Sequence, residues 1–111
     1  MGAAARTLAW GGALLMSLLL AGCQGFLESQ IFFPQRELET TPASVGLGYE
    51  NLNIKTADGL VLHGWLVPCL EARHLVVLCH GNAGNVSHRV DILRRLHGLG
   101  LSLLIFDYRG Y

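Results

Sequence analysis

A chain of 111 residues has room for one domain at most. Hydrophobic residues make up 51% of it, above the usual range for a soluble domain, and much of the excess sits in the first 22 positions. Formal net charge is zero and like charges nowhere run together, which argues against nucleic-acid binding through clustered Lys and Arg. Three cysteines, Cys23, Cys69 and Cys79, lack paired metal-ligand spacing, so no metal or other cofactor is expected. Cys79 lies in an apolar run and reads as a small buried residue; Cys69 follows Pro68 in a loop.

In chain order, residues 1–22 come first and have the three-part layout of a secretory signal. Met1 to Arg6 carries one positive side chain, Leu8 to Leu20 is apolar, and the small residues Ala21 and Gly22 follow. The apolar run is shorter than the roughly 20 residues of a spanning helix and contains Gly11, Gly12 and Ser17. Leu20-Ala21-Gly22-Cys23 resembles the lipobox of bacterial lipoproteins. That resemblance implies cleavage before Cys23, acylation of its thiol, and attachment to membrane lipid; several acyl chains on one residue give lasting anchorage. Gln24, where inner-membrane retention would require Asp, points to the bacterial cell envelope with the outer membrane, facing the periplasm, as the destination.

Residues 23–47 read as the lipidated N-terminus and a tether, with Pro34 and Pro42 among mixed polar residues and no clear periodicity. Ile31-Phe32-Phe33-Pro34 is an apolar knot within it, fit either to dock on a domain or to sit at a membrane interface. Residues 48–111 form the folded part. Glu50 to Thr56 alternates polar and apolar, a half-buried strand. Ala57-Asp58-Gly59 is a turn, and Leu60 to Val67 returns antiparallel as the second arm of a hairpin, with Trp65 a packing residue. Leu75 to Cys79 is continuously apolar, the pattern of a strand covered on both faces in a parallel sheet. A glycine-rich turn, His80 to Asn85, leads into a helix from Val86 to about Leu99, with Val86, Val90, Leu93 and Leu96 on one face. Leu101 to Phe106 is a second two-sided strand that completes a β-α-β unit. Ligands of such sheets bind beyond the carboxyl ends of the strands, where His80–Asn85 and Asp107–Tyr111 fall.

Three motifs in this order carry a specific resemblance. Leu75 to Asn85, reading Leu-Val-Val-Leu-Cys-His-Gly-Asn-Ala-Gly-Asn, resembles the third strand and oxyanion loop of α/β-hydrolases. Phe106-Asp107-Tyr108-Arg109-Gly110-Tyr111 resembles the end of the next strand with its Asp-Tyr-Arg-Gly turn, and Asp58-Gly59-Leu60 through Leu62-His63-Gly64-Trp65 the preceding hairpin. The resemblance covers about residues 45 to 111 and is most specific to the branch with a His-Gly-Asn-Ala-Gly-Asn loop. It implies the N-terminal part of an α/β-hydrolase fold, an antiparallel hairpin followed by a β-α-β unit of a mostly parallel sheet. It also implies acyl transfer by Ser, His and an acid. The family's loop donor to the oxyanion maps onto the backbone N–H of Asn82, with His80 and Gly81 shaping the loop.

The family's Gly-x-Ser-x-Gly elbow does not occur in the chain. Ser102 stands in a strand pattern and Ser87 on a helix, so both read as structural. His80 reads as a loop organiser, Asp107 and Arg109 as residues holding the second loop, and the other histidines as ordinary strand, loop and helix-surface residues. The expectation is a membrane-tethered serine hydrolase of esters, thioesters or amides with a small-molecule or acyl substrate, of which this chain carries the oxyanion loop. The alternative is a catalytically inactive truncated lipoprotein fragment or binding module.

Overall fold

The computed structural model describes Met16, Ser17 and residues 25–111. Cys23 and, apart from Met16 and Ser17, the expected signal segment lie outside the described residues. The chain divides into two compact units, Met1–Phe33 and Pro34–Tyr111. In the first, residues 25–31 are helical, with Ser29 Oγ donating to Phe26 O at 2.7 Å. Phe26, Leu27, Ile31, Phe32 and Phe33 are all more than half exposed. Among the described residues no helix is long and apolar enough to cross a membrane.

The second unit is built on a four-stranded sheet in the order β1-β2-β4-β3. Strand β1 (Glu50–Lys55) and strand β2 (Val61–Val67) form the expected antiparallel hairpin, Asn51 facing Trp65 and Ile54 facing Leu62. Its turn works because Gly59 adopts φ +88°, left-handed backbone open to glycine at no steric cost. Strand β3 (Leu75–Leu78) runs parallel to strand β4 (Ser102–Phe106), and β4 rather than β3 lies against β2. Gly64 permits that second pairing: a Cβ there would stand 2.6 Å from the carbonyl oxygen of Ile105.

Helix α1 (Val90–His97) connects β3 to β4, preceded by a 3-10 turn at Val86–Arg89. The single helix expected from the spacing is thus two pieces. Asp91 lies in the first turn of α1 and Arg94, Arg95 and His97 in the last, matching the helix dipole. The core lies between α1 and one sheet face, where Leu93 and Val86 meet Trp65, Val67, Leu103 and Ile105, all fully buried.

The stretch before β1 is more structured than its irregular composition predicts. A 3-10 helix at Pro42–Val45 buries Pro42, closes on Gly46 at φ +80°, and delivers Leu47 to the core. Two further expectations are corrected. Leu75 and Val77 are each 54% exposed, so β3 is covered on one face rather than two. The cause is the supply of cover within the second unit: α1 lies over the other face, and this unit has no second α-helix to lie over this one. Cys79, expected buried, is exposed, and Cys69 and Cys79 are free thiols.

Candidate active site

The two segments expected at the carboxyl edge of the sheet do meet there. Asp107 directly follows β4 and is buried, its N–H donating to His63 O at 2.8 Å. Asp107 Oδ1 accepts the N–H of Val86 at 2.8 Å. The same oxygen lies 3.2 Å from His80 Nε2, an ion-pair distance although off the direction of a well-formed hydrogen bond. Asp107 Oδ2 is 3.9 Å from His63 Nδ1. One carboxylate therefore reaches the start of the His80–Asn85 loop, the residue just after it, and the hairpin.

His80 is clasped from other sides. Its side chain is fully buried. Nδ1 contacts the carbonyl oxygen of Gly81 at 2.8 Å; a carbonyl only accepts, so Nδ1 carries a proton. Tyr108 stacks on the ring with centroids 4.5 Å apart and donates its hydroxyl to His80 O at 2.7 Å. Loss of solvent around Tyr108, and then the neighbouring Cys79 thiol, push the phenol's pKa up, which keeps it a donor.

Past His80 the loop opens outward. Gly81 and Asn82 are exposed, and a Cβ built on Gly81 would meet nothing within 4 Å. Asn82 Oδ1 accepts the N–H of Ala83 at 2.8 Å and the Tyr111 hydroxyl at 2.8 Å, so the side-chain oxygen is engaged within the loop. Ala83 and Gly84 adopt φ +70° and +71°, two left-handed residues in succession. For alanine that conformation is costly, and such residues cluster at functional sites. Arg89 Nη2 braces the turn through Ala83 O at 2.8 Å. Gly84 has no alternative at its position, because a Cβ would stand 2.7 Å from His88 Nδ1.

Asn85 closes the loop as an N-cap. Its Oδ1 accepts from Ser87 N (2.9 Å) and Ser87 Oγ (2.6 Å), and its Nδ2 donates to Gln35 O and Glu37 O, both at 2.7 Å. Its N–H donates to His88 Nδ1 at 3.1 Å, giving a capping box with histidine in the usual place of Glu or Gln. The Gln35–Glu39 segment is strapped across this cap, with Pro34 bridged to Gly84 and Glu39 N–H donating to Ser87 Oγ at 3.1 Å.

Both serines make hydrogen bonds within the fold. Ser87 is buried within the cap, and Ser102 Oγ accepts the N–H of Cys69 at 3.0 Å. Arg109 pairs with Asp58 at 2.7 Å and so ties the second loop to the hairpin turn. A small cleft of about 170 Å³ lies between the hairpin and the second loop, lined by His63, Asp107, Tyr108 and Tyr111 among others. Among the described residues no cluster of His, Cys, Asp and Glu could hold a metal ion. Sequence reasoning assigned Asp107 to its own loop and missed its hold on the neighbouring one; the available signal was an acid placed at the end of a strand adjacent to the loop histidine.

No protein-family profile matches the chain. An uncharacterized protein of Mycobacterium tuberculosis is 38% identical over 103 residues, covering 87% of this chain and 37% of that protein. The alpha/beta hydrolase domain-containing protein WAV2 of Arabidopsis thaliana is 30% identical over 112 residues, covering 92% of this chain and 35% of the relative. Among solved structures, the Pyrococcus furiosus esterase Pf2001 is 26% identical with a TM-score of 0.58, covering 70% of this chain and 32% of the esterase. The chain thus spans about a third of the length of these proteins. It is related to the α/β-hydrolases, and its fold is the part of the α/β-hydrolase fold made by the hairpin and the first β-α-β unit.

Proposed function

We propose that this chain carries the oxyanion-loop part of a membrane-tethered serine hydrolase that cleaves esters, thioesters or amides by acyl transfer. The observation that supports it best is the His80–Asn85 loop. It is anchored at both ends by Asp107, opens outward at Gly81 and Asn82, and turns back through two left-handed residues. A loop so held offers the Asn82 N–H in a fixed place, as stabilisation of a developing oxyanion demands. The esterase neighbour and the hydrolase-domain relative agree with this chemistry. The serine that attacks would come from a Gly-x-Ser-x-Gly elbow, which these residues do not supply. The tether would be an acylated Cys23 in the bacterial envelope, the outer membrane by preference.

The test is labelling with a fluorophosphonate, which marks activated serines, on the protein at the length its gene encodes, expressed in bacterial cells. The expected result is a labelled band in the membrane fraction, which Cys23→Ser moves to the soluble fraction. A folded protein that takes up no label refutes the hydrolase. Label that stays with the membrane in the Cys23→Ser protein refutes the lipid tether.

A further inference from the structure

We infer that Asp107 is a positioning residue of the oxyanion loop, acting on the Asn82 N–H through His80 and the Gly81 carbonyl. The inference rests on the hydrolase reading for its catalytic meaning and on geometry for its substance. Asp107 Oδ1 stands 3.2 Å from His80 Nε2, on the far side of the ring from Nδ1, so it fixes how the buried imidazole is turned. Nδ1–H in turn holds Gly81 O at 2.8 Å. The Gly81 carbonyl and the Asn82 N–H belong to one peptide plane. The described chain has no cis peptide bond, so the two groups point in opposite directions across that plane. Drawing the carbonyl inward to His80 therefore directs the Asn82 N–H away from it, toward the outward side of the loop.

Two further contacts make the chain of effects stiff. Tyr108 stacks on the same imidazole and holds the His80 carbonyl, so the ring has little freedom to swing. Asp107 Oδ1 also holds Val86 N–H at 2.8 Å, so the oxygen that orients the loop's first residue fixes the residue after its last. A carboxylate that merely filled space in the core would need neither contact.

Asp107→Asn and Asp107→Ala separate positioning from bulk folding, measured on the protein at the length its gene encodes. Asn keeps an oxygen for Val86 N–H but gives up the charge toward His80; Ala gives up both. The expected outcome for Asn is kcat on a p-nitrophenyl ester lowered roughly 10- to 100-fold with KM little changed, because the oxyanion contact exists only in the transition state. Amide hydrogen exchange of peptides spanning residues 80–86 should rise at least about tenfold in Asp107→Asn, while the β1–β2 hairpin keeps its wild-type rate. His80→Gln should give the same loop exchange, and combining it with Asp107→Asn should add little, since the two act in series. Wild-type exchange over residues 80–86 in Asp107→Asn overturns the inference, as does loss of protection spread evenly over the sheet. The exchange readout decides the matter even if the wild-type protein hydrolyses nothing, and that latter result would refute the proposed function alone.

Discussion

At the scale of single residues, the loop separates what a side chain does from what its backbone does. Asn82 engages its side-chain oxygen with Ala83 N–H and the Tyr111 hydroxyl, a local brace replaceable at modest cost. In the protein at the length its gene encodes, Asn82→Ala should therefore lose only a few-fold in kcat, whereas Asn82→Pro, which removes the N–H, should lose roughly 10²–10³. Steady-state kinetics on an activated ester, with circular dichroism as the folding control, makes the comparison. A folded Pro variant as active as wild type would rule out the N–H assignment. Asp58 offers a second test at this scale. A hydrogen bond from Thr56, and then one from Arg109, hold its carboxyl below the ordinary value of 3.8. A depressed carboxylate contributes stability above its unfolded-state pKa and loses it as pH falls through the folded value. Asp58 lies at the surface, so the contribution is small. An NMR titration of the Asp58 carboxyl should find its midpoint below 3.8 and shifted upward by Arg109→Ala. A midpoint indifferent to that substitution would leave the Arg109 pair without electrostatic effect. His80, Gly81 and Asn82 were legible because a strand-turn-helix with a glycine loop is a local pattern. Asp107's hold on His80 joins residues 27 apart in sequence, which no window along the chain reveals.

At the scale of elements, hydrophobic patterning found all four strands and the helical connection: alternation marked the hairpin, continuous apolar runs marked β3 and β4, and three-to-four spacing marked the helix. It placed the ends less well. The helix after the loop begins as a 3-10 turn because Asn85 and His88 cap each other across it, a matter of side-chain hydrogen bonds rather than apolar spacing. The segment before β1 looked featureless because its structure comes from contacts made elsewhere: Asn85 Nδ2 gathers the carbonyls of Gln35 and Glu37, and Pro42 and Leu47 are buried without any repeat between them. The strap makes a definite demand on Asn85. Asn85→Ala removes a helix cap and leaves two carbonyls without their donor, a loss of about 2–4 kcal/mol in unfolding free energy. Asn85→Asp still caps Ser87 N–H, but it places acceptor oxygen against Gln35 O and Glu37 O, so it should not restore stability despite being the better match to a helix N-terminus. Denaturant unfolding of the three proteins would show this. An Asp variant as stable as wild type would mean that the strap contributes nothing and the cap alone matters.

At the scale of the molecule, the sheet has one finished face and one open face. Pairing register puts Leu52, Ile54, Leu62, Leu66, Leu104 and Phe106 on the side away from α1, together with Leu75 and Val77 of β3. The first six are only half-buried and the last two are 54% exposed, so a continuous apolar surface crosses all four strands. Strand β3 is also an edge, with one side of its backbone unpaired within the sheet. Contiguous apolar surface and an unprotected edge both favour association with another chain over a stable monomer. The core on the finished face is small, seven buried hydrophobic residues, and at this size a single core leaves little margin over the entropy of ordering the chain. Residues 24–111 expressed by themselves should therefore fail to form a monomeric native domain. They should also show no esterase turnover, because Ser87 and Ser102 are held in structural hydrogen bonds and an oxyanion donor without a nucleophile gives only residual catalysis. Size-exclusion chromatography with light scattering, thermal unfolding and p-nitrophenyl ester hydrolysis address each part. Association, or a broad non-cooperative melt, is the expected result. A monomer with a sharp cooperative transition would show that the open face is tolerated, and turnover abolished by Ser87→Ala or Ser102→Ala would show that one of these serines is the nucleophile after all.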